Sequence, residues 1–313
     1  MPLLVKVPRN ESVLRDFGPY PTTISLGEGT TSTQRKLSDG VHGFEPGTQA
    51  TLLTLVQLAT PRPVEFFDVG AHIGTHSLII SSVYPARSVH VTAFEPTPQT
   101  AAVCRALAGA NTLDIRVERC AVSDEDGIAS LFISPWETSN SLMEGFRPAV
   151  DTLPVPSVRL DTYCARRGVL PSVIKIDVES YESYVVRGAL HVLEEARPAV
   201  VCEILRDTDP AAIGQTVGAF AGLGYHLHRW TRADGWRECS ADDIAEQVSH
   251  DGNDWLFTPE RIGDRFRATL AGWRQSIAEC RPDHTVHLTP GTTPRPAYYG
   301  LPRLGWLRSR HRH

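Results

Sequence analysis

The feature that most constrains the fold is a pair of apolar segments, residues 64–68 and 89–94, each of which leads to an acidic residue. The first ends at Asp68 and enters a turn with two glycines, and the second is followed directly by Glu95. Apolar runs of this length are typical of strands that are buried in a parallel sheet. Because the carboxyl ends of parallel strands meet at one edge, both acids are expected to face one small-molecule crevice.

The turn after the first segment indicates which kind of nucleoside cofactor the crevice takes. Glu95 is predicted to accept two hydrogen bonds from the hydroxyls of a ribose. Gly70 and Gly74 let the chain turn sharply into a helix while a ligand approaches the backbone. A dinucleotide site needs G-x-G-x-x-G, whereas bulky His72 stands where the second glycine falls. The spacing therefore favours S-adenosylmethionine, with Asp68 near its methionine part.

A third apolar segment, residues 172–177, brings further carboxylates to the same predicted edge. Asp177 ends this segment and Glu179 follows two positions later, so both are expected to face the bound ligand. Together with Glu203, they offer oxygen ligands that permit a Mg²⁺ ion without requiring one, and no metal ligand is assigned. Glu45 precedes a predicted helix, and its expected role is to stabilise the helix dipole.

The order of the segments predicts an α/β protein. Strands alternate with helices, which indicates a doubly wound, mostly parallel seven-stranded sheet of the Rossmann-like type, with an antiparallel pair at its end. The predicted strands are residues 64–68, 89–94, 114–119, 172–177, 198–203, 224–229 and 254–258. The predicted helices are residues 46–59, 75–83, 98–109, 158–167, 180–194 and 210–222.

Composition excludes several classes of partner. The net charge of −5 provides no general attraction to nucleic acid or to an anionic membrane. No window approaches the ~18 consecutive apolar residues of a membrane span, and the first residues are too interrupted for a secretory signal. A cytoplasmic location is expected. The 6 cysteines form no C-x-x-C pair, so buried free thiols are expected rather than a zinc site or disulfides.

Several short motifs resemble those of the FkbM family of S-adenosylmethionine-dependent O-methyltransferases. They lie within roughly residues 44–258 and are D-V-G-A-H-I-G, A-F-E-P, A-V-S-D, R-L-D-T, K-I-D-V-E-S-Y-E and N-D-W-L-F. Two positions depart from the family pattern. Ser180 stands where the family has the glycine of K-I-D-V-E-G, and His72 stands where it has the asparagine of D-V-G-A-N.

The resemblance implies a class I methyltransferase fold and a set of cofactor contacts. Asp68, Gly70 and Gly74 would surround the methionine half of S-adenosylmethionine, Glu95 would bind its ribose, and Ser123 or its neighbours would contact the adenine. The family methylates hydroxyl groups of natural products or sugars, which implies a small hydroxylated substrate of secondary metabolism.

The sequence predicts a division of the chain into three parts. Residues 1–44 form an N-terminal extension or cap, and residues 45–260 form the methyltransferase domain. Residues 261–313 form a C-terminal helix and a tail rich in proline and arginine. The sequence does not indicate an oligomeric state.

The predicted chemistry is an in-line displacement at a sulfonium carbon, whose rate depends on holding oxygen and methyl group collinear. A base within hydrogen-bond reach of an alcohol contributes a further ~10²–10⁴-fold. Asp177 or Glu179 is predicted to position or deprotonate the hydroxyl, and His72 is the next candidate. Asn140 is a candidate to position acceptor or cofactor from a loop, with an ordinary polar turn as the alternative.

Two other functions remain open on the sequence. An NAD(P)-dependent oxidoreductase of the short-chain type would need a Tyr-x-x-x-Lys pair, but Tyr163 is followed four positions later by Arg167, and Tyr181 by Val185. A non-catalytic binding or scaffold protein would keep the cofactor fold only to organise a partner. The acidic strand ends argue against that second alternative, because buried carboxylates are costly to maintain without use.

Overall fold

The structure is a computed structural model that describes residues 3–27, 32–37, 40–136, 138–232, 234–245 and 252–280. The predicted tail at residues 282–313 lies outside the described residues. The strands are β1 (Leu4–Lys6), β2 (Thr23–Ser25), β3 (Val64–Val69), β4 (Val89–Phe94), β5 (Ile115–Glu118), β6 (Ala121–Val122), β7 (Gly127–Ile133), β8 (Asp151–Val158), β9 (Val173–Ile176), β10 (Ala199–Glu203), β11 (His226–Thr231), β12 (Gly235–Cys239) and β13 (Asp254–Thr258). The helices are α1 (Glu11–Phe17), α2 (Ser32–Lys36), α3 (Pro46–Leu58), α4 (Thr75–Val83), α5 (Pro98–Ala110), α6 (Leu160–Arg167), α7 (Glu182–Arg187), α8 (Leu190–Glu195), α9 (Pro210–Gly222), α10 (Ala241–Ala245) and α11 (Asp264–Glu279), with a 3-10 turn at Val41–Gly43.

The central sheet has eight strands in the order β12-β11-β13-β10-β9-β3-β4-β5. Its parallel part runs from β10 to β5, and β13, β11 and β12 continue it in antiparallel pairs. The predicted doubly wound, mostly parallel sheet is confirmed. It has one strand more than the seven predicted, because β12 folds back on β11 as a hairpin. The strand order reverses between β3 and β9, which is where ligands bind in open α/β sheets.

A second, three-stranded sheet, in the order β6-β8-β7, was not predicted from the sequence. Its long strand β8 carries Pro154 and Pro156, and prolines inside a run argue against a strand in a sequence-based assignment. Both prolines lie in β8, which pairs with β7 and β6, two strands that precede it closely in the chain. An isolated bridge between Phe132 and Ser141 folds the loop after β7 back onto β7.

The helix predicted over residues 180–194 is divided into α7 and α8. Gly188 ends α7, and a Cβ at this position would lie 2.0 Å from the carbonyl oxygen of Ser123. The close approach of the two backbones therefore requires glycine and interrupts the helical run.

Segments from both ends of the chain share one buried cluster with α3 and α4. Val13 and Ile24 come from the N-terminal part, and Leu270 and Trp273 come from α11. The three-part division of the chain stays a prediction, and side chains from all three parts meet in this cluster. All the cysteines are free, and four of them are buried. Among the described residues, no helix combines the length and the apolar composition that crossing a bilayer requires.

Replacing Trp273 tests whether α11 is integral to the fold. The side chain is completely buried, and its Nε1 donates a hydrogen bond to Oε1 of Gln57 at 2.8 Å. We expect W273A to lower the free energy of unfolding by about 3–5 kcal/mol, as for other buried aromatic residues. W273F keeps most of the ring packing and should cost less. Urea unfolding measures both, and a W273A protein as stable as the wild type would contradict the packing described.

Candidate active site at the carboxyl edge of the sheet

The ends of β3, β4 and β9 meet at one edge of the central sheet. The N–H of Gly70 donates to the carbonyl of Phe94 at 3.0 Å, and the N–H of Asp177 donates to the carbonyl of Val69 at 3.0 Å. These bonds hold the loops that follow the three strands side by side. A cavity of about 250 Å³, here called the first cavity, opens above them.

Five of the eight predicted site residues line the first cavity, and three do not. The lining residues are Gly70, His72, Glu95, Asp177 and Glu179. The residues that do not line the cavity are Asp68, Gly74 and Ser123. Asp68 is 1% exposed, and its Oδ2 accepts a hydrogen bond from the hydroxyl of Ser77 at 2.7 Å. The other oxygen, Oδ1, is buried without a hydrogen-bond partner among the described residues.

The two glycines of the turn are required by the protein itself. Gly70 has φ +81°, and a Cβ there would lie 1.7 Å from the carbonyl oxygen of Asp177. Gly74 has φ +80°, and its Cβ would lie 2.4 Å from Sγ of Cys104. Both conformations favour glycine, and the atoms that a side chain would meet belong to the protein. Close packing against the residue after β9 and against α5 is therefore one reason for these glycines, and the approach of a ligand to this turn stays a prediction.

Glu95 is held by backbone donors and keeps acceptor capacity for a ligand. Its Oε2 accepts from the N–H of His72 at 2.9 Å, and its Oε1 accepts from the N–H of Thr97 at 2.8 Å. Burial raises the pKa of Glu95, and these hydrogen bonds oppose the increase. The hydroxyl of Thr97 donates to this carboxylate as well. Since a carboxylate has about four lone-pair sites, acceptor capacity for a ligand remains. His72 itself has φ +52°, a left-handed conformation in which asparagine and histidine are enriched.

An apolar wall of the first cavity contains the residues just before Ser123, where the resemblance places the adenine, and further residues that the sequence did not indicate. It consists of Cys120, Ala121, Val122, Leu131 and Leu142. These residues come from the connection after β5 and from the second sheet and its loop, so no single motif contains them. Ser123 lies behind the wall, where its hydroxyl lies 3.1 Å from the hydroxyl of Tyr181.

Asn140 lines the first cavity, but its amide group is used within the protein. Its Oδ1 accepts from the N–H of Ser134 at 2.9 Å, and its Nδ2 donates to the hydroxyl of Thr97 at 3.4 Å. The side chain therefore ties the loop after β7 to the residue that also holds Glu95. This observation favours a structural role for Asn140 in shaping the cavity.

A carboxylate cluster forms the other side of the first cavity. Asp177, Glu179 and Glu203 each place an oxygen within 4.8 Å of the others. Nζ of Lys175, which is 2% exposed, donates to Oδ2 of Asp177 at 2.7 Å. Burial raises the pKa of Asp177, but the ammonium of Lys175 outweighs it, and the net pKa lies below the usual range.

The other two carboxyl groups of the cluster hold protons. Burial and the neighbouring Asp177 raise the pKa of Glu203 well above its usual value, and Glu203 shares a hydrogen bond with Asp177. Burial and Asp177 also raise the pKa of Glu179 to about 8. The charge of the cluster is thus balanced by Lys175 and by these protons. A magnesium ion is not needed for that balance, so its optional role stays a prediction.

Glu45 has a role in the site that the sequence analysis did not predict. It directly precedes α3, as expected, and makes no side-chain capping bond, so its interaction with the helix dipole stays a prediction. Its Oε2 lies 3.0 Å from Nε2 of His76 instead. Burial raises the pKa of Glu45, but His76 and Lys175 lower it below the usual value. Its φ of +44° before Pro46 is strained, because a residue that precedes proline prefers extended backbone.

Comparison with known proteins gives one family. Residues 68–227, about half of the chain, match the family model described as the Methyltransferase FkbM domain. The 31-O-demethyl-FK506 methyltransferase FkbM of Streptomyces tacrolimicus is 31% identical over 192 residues, which cover 51% of this chain and 71% of that protein.

Solved structures of methyltransferases are also similar. The methyltransferase FkbM of Methylobacillus flagellatus has a TM-score of 0.37 at 15% identity, over 64% of this chain and 45% of that chain. The SAM-dependent methyltransferase of Agrobacterium tumefaciens has a TM-score of 0.36 at 14% identity, over 69% of this chain and 63% of that chain. The present chain thus spans less than half of the Methylobacillus protein.

A double-mutant cycle tests the pairing of Lys175 with Asp177. K175M leaves a carboxylate at the edge of the core without its counter-charge, and we expect a loss of about 3–5 kcal/mol of unfolding free energy at neutral pH. The double variant K175M/D177N removes both charges and should recover a large part of that loss. Denaturant unfolding of the wild type, K175M, D177N and K175M/D177N measures the coupling between the two charges. Additive losses would show that the two charges do not interact.

The raised pKa of Glu179 predicts a pH-dependent effect of E179Q. The folded protein holds this proton up to a pH of about 8, whereas the unfolded chain releases it near the ordinary glutamate pKa of 4.5. Ionisation between these values therefore favours unfolding, and glutamine removes that contribution. The stability of E179Q relative to the wild type should rise between pH 5 and pH 8. A difference that does not change with pH would contradict the predicted pKa.

Proposed function

The chain belongs to the FkbM methyltransferase family, and we propose that it is an S-adenosylmethionine-dependent O-methyltransferase. The family match confirms the resemblance that the motifs indicated. We propose further that the acceptor is a hydroxyl group of a small natural-product or sugar-containing metabolite. The observation that carries the proposal is the pairing of Glu95, which has acceptor capacity to spare, with a carboxylate cluster across one cavity.

The residues of the first cavity fit the parts of S-adenosylmethionine. Glu95 has acceptor capacity left for the ribose hydroxyls, and the wall from Cys120 to Leu142 offers an apolar surface for the adenine. The unpartnered Oδ1 of Asp68, buried below the turn at Gly70, places negative potential where a cationic methionine moiety is expected. When bound, the cofactor supplies a methyl group that is activated by its sulfonium charge.

The carboxylate cluster supplies the groups that an alcohol acceptor needs. Asp177 is ionised and fixed by Lys175, so it can accept a hydrogen bond from the hydroxyl and orient its oxygen. Glu179 has a pKa of about 8, so it is mostly protonated at neutral pH, and its ionised fraction is the form that takes the hydroxyl proton. His72 remains a further candidate, because it also lines the cavity.

Calorimetric titration tests the donor site. We expect the protein to bind S-adenosylmethionine and S-adenosylhomocysteine, and not NAD. E95A removes the charge-assisted hydrogen bonding to ribose and should weaken binding by roughly 10–100-fold. E125A, which removes an exposed carboxylate, is the matched control and should bind as the wild type does. Binding of NAD without any response to S-adenosylmethionine would favour an oxidoreductase and refute the proposal.

Transfer of an isotope-labelled methyl group tests the reaction. Labelled S-adenosylmethionine is incubated with hydroxylated small molecules, which include 31-O-demethyl-FK506, the compound named for the Streptomyces relative. Mass spectrometry should detect an O-methyl product. D177N should lower turnover by ~10²–10⁴-fold while the affinity for S-adenosylmethionine changes little. Equal turnover of D177N would exclude Asp177 from the chemistry, and cofactor binding without transfer to any hydroxyl would favour a non-catalytic protein.

A further inference from the structure

A second cavity of about 790 Å³ adjoins the first. Lys36, Glu45 and Glu203 line both cavities and thus form the boundary between them. The other lining residues of the second cavity include Trp230, Arg232, Asp254, Arg274 and Ala278. Its volume is within the range of about 300–1,000 Å³ that is usual for sites of small molecules.

The sheet explains why the two cavities are neighbours. The first lies above the ends of β4, β3 and β9, and the second lies above the ends of β10, β13 and β11. In the antiparallel pairing of β10 with β13, Glu203 stands opposite Asp254. β13 begins at the edge where β10 ends, so the acids at this edge continue from one cavity into the next.

The second cavity is built mainly from parts of the chain outside the segment that matches the family. That segment covers residues 68–227, and Glu203 is the one lining residue that falls within it. The other lining residues come from the N-terminal part, from the hairpin of β11 and β12, and from the region of β13 and α11. The shape of this cavity is therefore a property of this chain beyond its family domain.

The far end of the second cavity carries positive charge. The guanidinium of Arg274 lies 5.2 Å from the centre of the Trp230 ring, and its Nη2 donates to the carbonyl oxygen of Arg232 at 3.3 Å. These contacts hold Arg274 beside Arg232 at the end of β11. The boundary with the first cavity, in contrast, carries the carboxyl groups of Glu45 and Glu203.

The charges of the lining residues are separated along the cavity. Lys36, Arg232 and Arg274 are cations at neutral pH. Glu45 is ionised, because His76 and Lys175 hold its pKa below the usual value, and Asp254, whose pKa burial and Glu45 raise to about 6, is also ionised at neutral pH. Negative charge therefore lies on the side of α3 and β13, whereas Arg232 and Arg274 place positive charge at the end of β11, where it favours the anionic group of a ligand.

We propose that the second cavity is the acceptor site and that it takes a small hydroxylated molecule carrying a carboxylate or similar anionic group. The acceptor's hydroxyl lies at the boundary formed by Glu45 and Glu203, and its anionic group lies between Arg232 and Arg274. A guanidinium binds carboxylates through paired N–H donors, which gives this end its specificity. This assignment rests on the proposed methyltransferase function, because it requires the donor in the first cavity.

Two-part probes test the assignment without knowledge of the natural acceptor. In these probes the sulfur of S-adenosylhomocysteine is replaced by a nitrogen that carries an alkyl chain. The chain must cross about three strand spacings of about 4.8 Å each to reach the end of β11 from β9. One series ends in a carboxylate and the matched series ends in a carboxamide. Calorimetry compares both with S-adenosylhomocysteine itself.

We expect the carboxylate probe of suitable length to bind roughly tenfold more tightly than its carboxamide counterpart. R274Q and R232Q should remove that preference, whereas R265Q, a change at an exposed arginine of the same helix as Arg274, should keep it. A278W fills the second cavity and should weaken both chain probes. A271W, at an exposed alanine of α11 that does not line the cavity, is its control.

Binding of S-adenosylhomocysteine distinguishes a failure of the acceptor assignment from a failure of the proposed function. Each variant should bind it as the wild type does, which also shows that the variant is folded. If it binds but the chains add no affinity, or carboxylate and carboxamide bind equally, the assignment of the acceptor site is wrong while the proposed function stands. If S-adenosylhomocysteine does not bind to the wild type, the proposed function fails and the acceptor assignment fails with it.

Discussion

The ion pair between Lys175 and Asp177 is the interaction on which the site depends. Lys175 is one of few charged residues buried within the sheet, and it stands beside Asp68 in the pairing of β9 with β3. A buried ammonium is costly unless carboxylates surround it. Asp177 provides the direct partner, and the negative charges of Glu45 and Asp254 also raise the pKa of Lys175. The lysine thus gathers acids from β9, α3 and β13 at a single edge.

One consequence is that neighbouring carboxyl groups take different protonation states. Asp177 stays ionised because Lys175 is next to it, and burial together with this charge keeps protons on Glu179 and Glu203. An ionised carboxylate and two protonated carboxyl groups therefore lie within 4.8 Å of one another. Pairs of acids whose environments separate their pKa values are typical of catalytic sites. These acids also lie between the apolar wall of the first cavity and the arginines of the second cavity.

The sequence was sufficient for most of the central sheet, because its strands follow from local patterns. The segment 89–94 coincides with β4, and Glu95 and Asp177 line one cavity at the carboxyl edge of the sheet. The second sheet was missed because prolines in β8 obscure its pattern. The contacts of Glu45 with His76 and Lys175 were also missed, because these residues are distant in the chain. No local pattern records such contacts, and the same holds for Leu131 and Leu142 of the apolar wall.

A crystal structure with S-adenosylhomocysteine bound is the most direct test of the central claim, that the acids around Lys175 stand between a donor site and an acceptor site. The account predicts that Glu95 binds both ribose hydroxyls and that the sulfur points toward the boundary at Glu45 and Glu203. The adenine should lie against Val122 and Leu131. A ligand whose sulfur faces away from this boundary, or that lies outside the first cavity, would contradict the account.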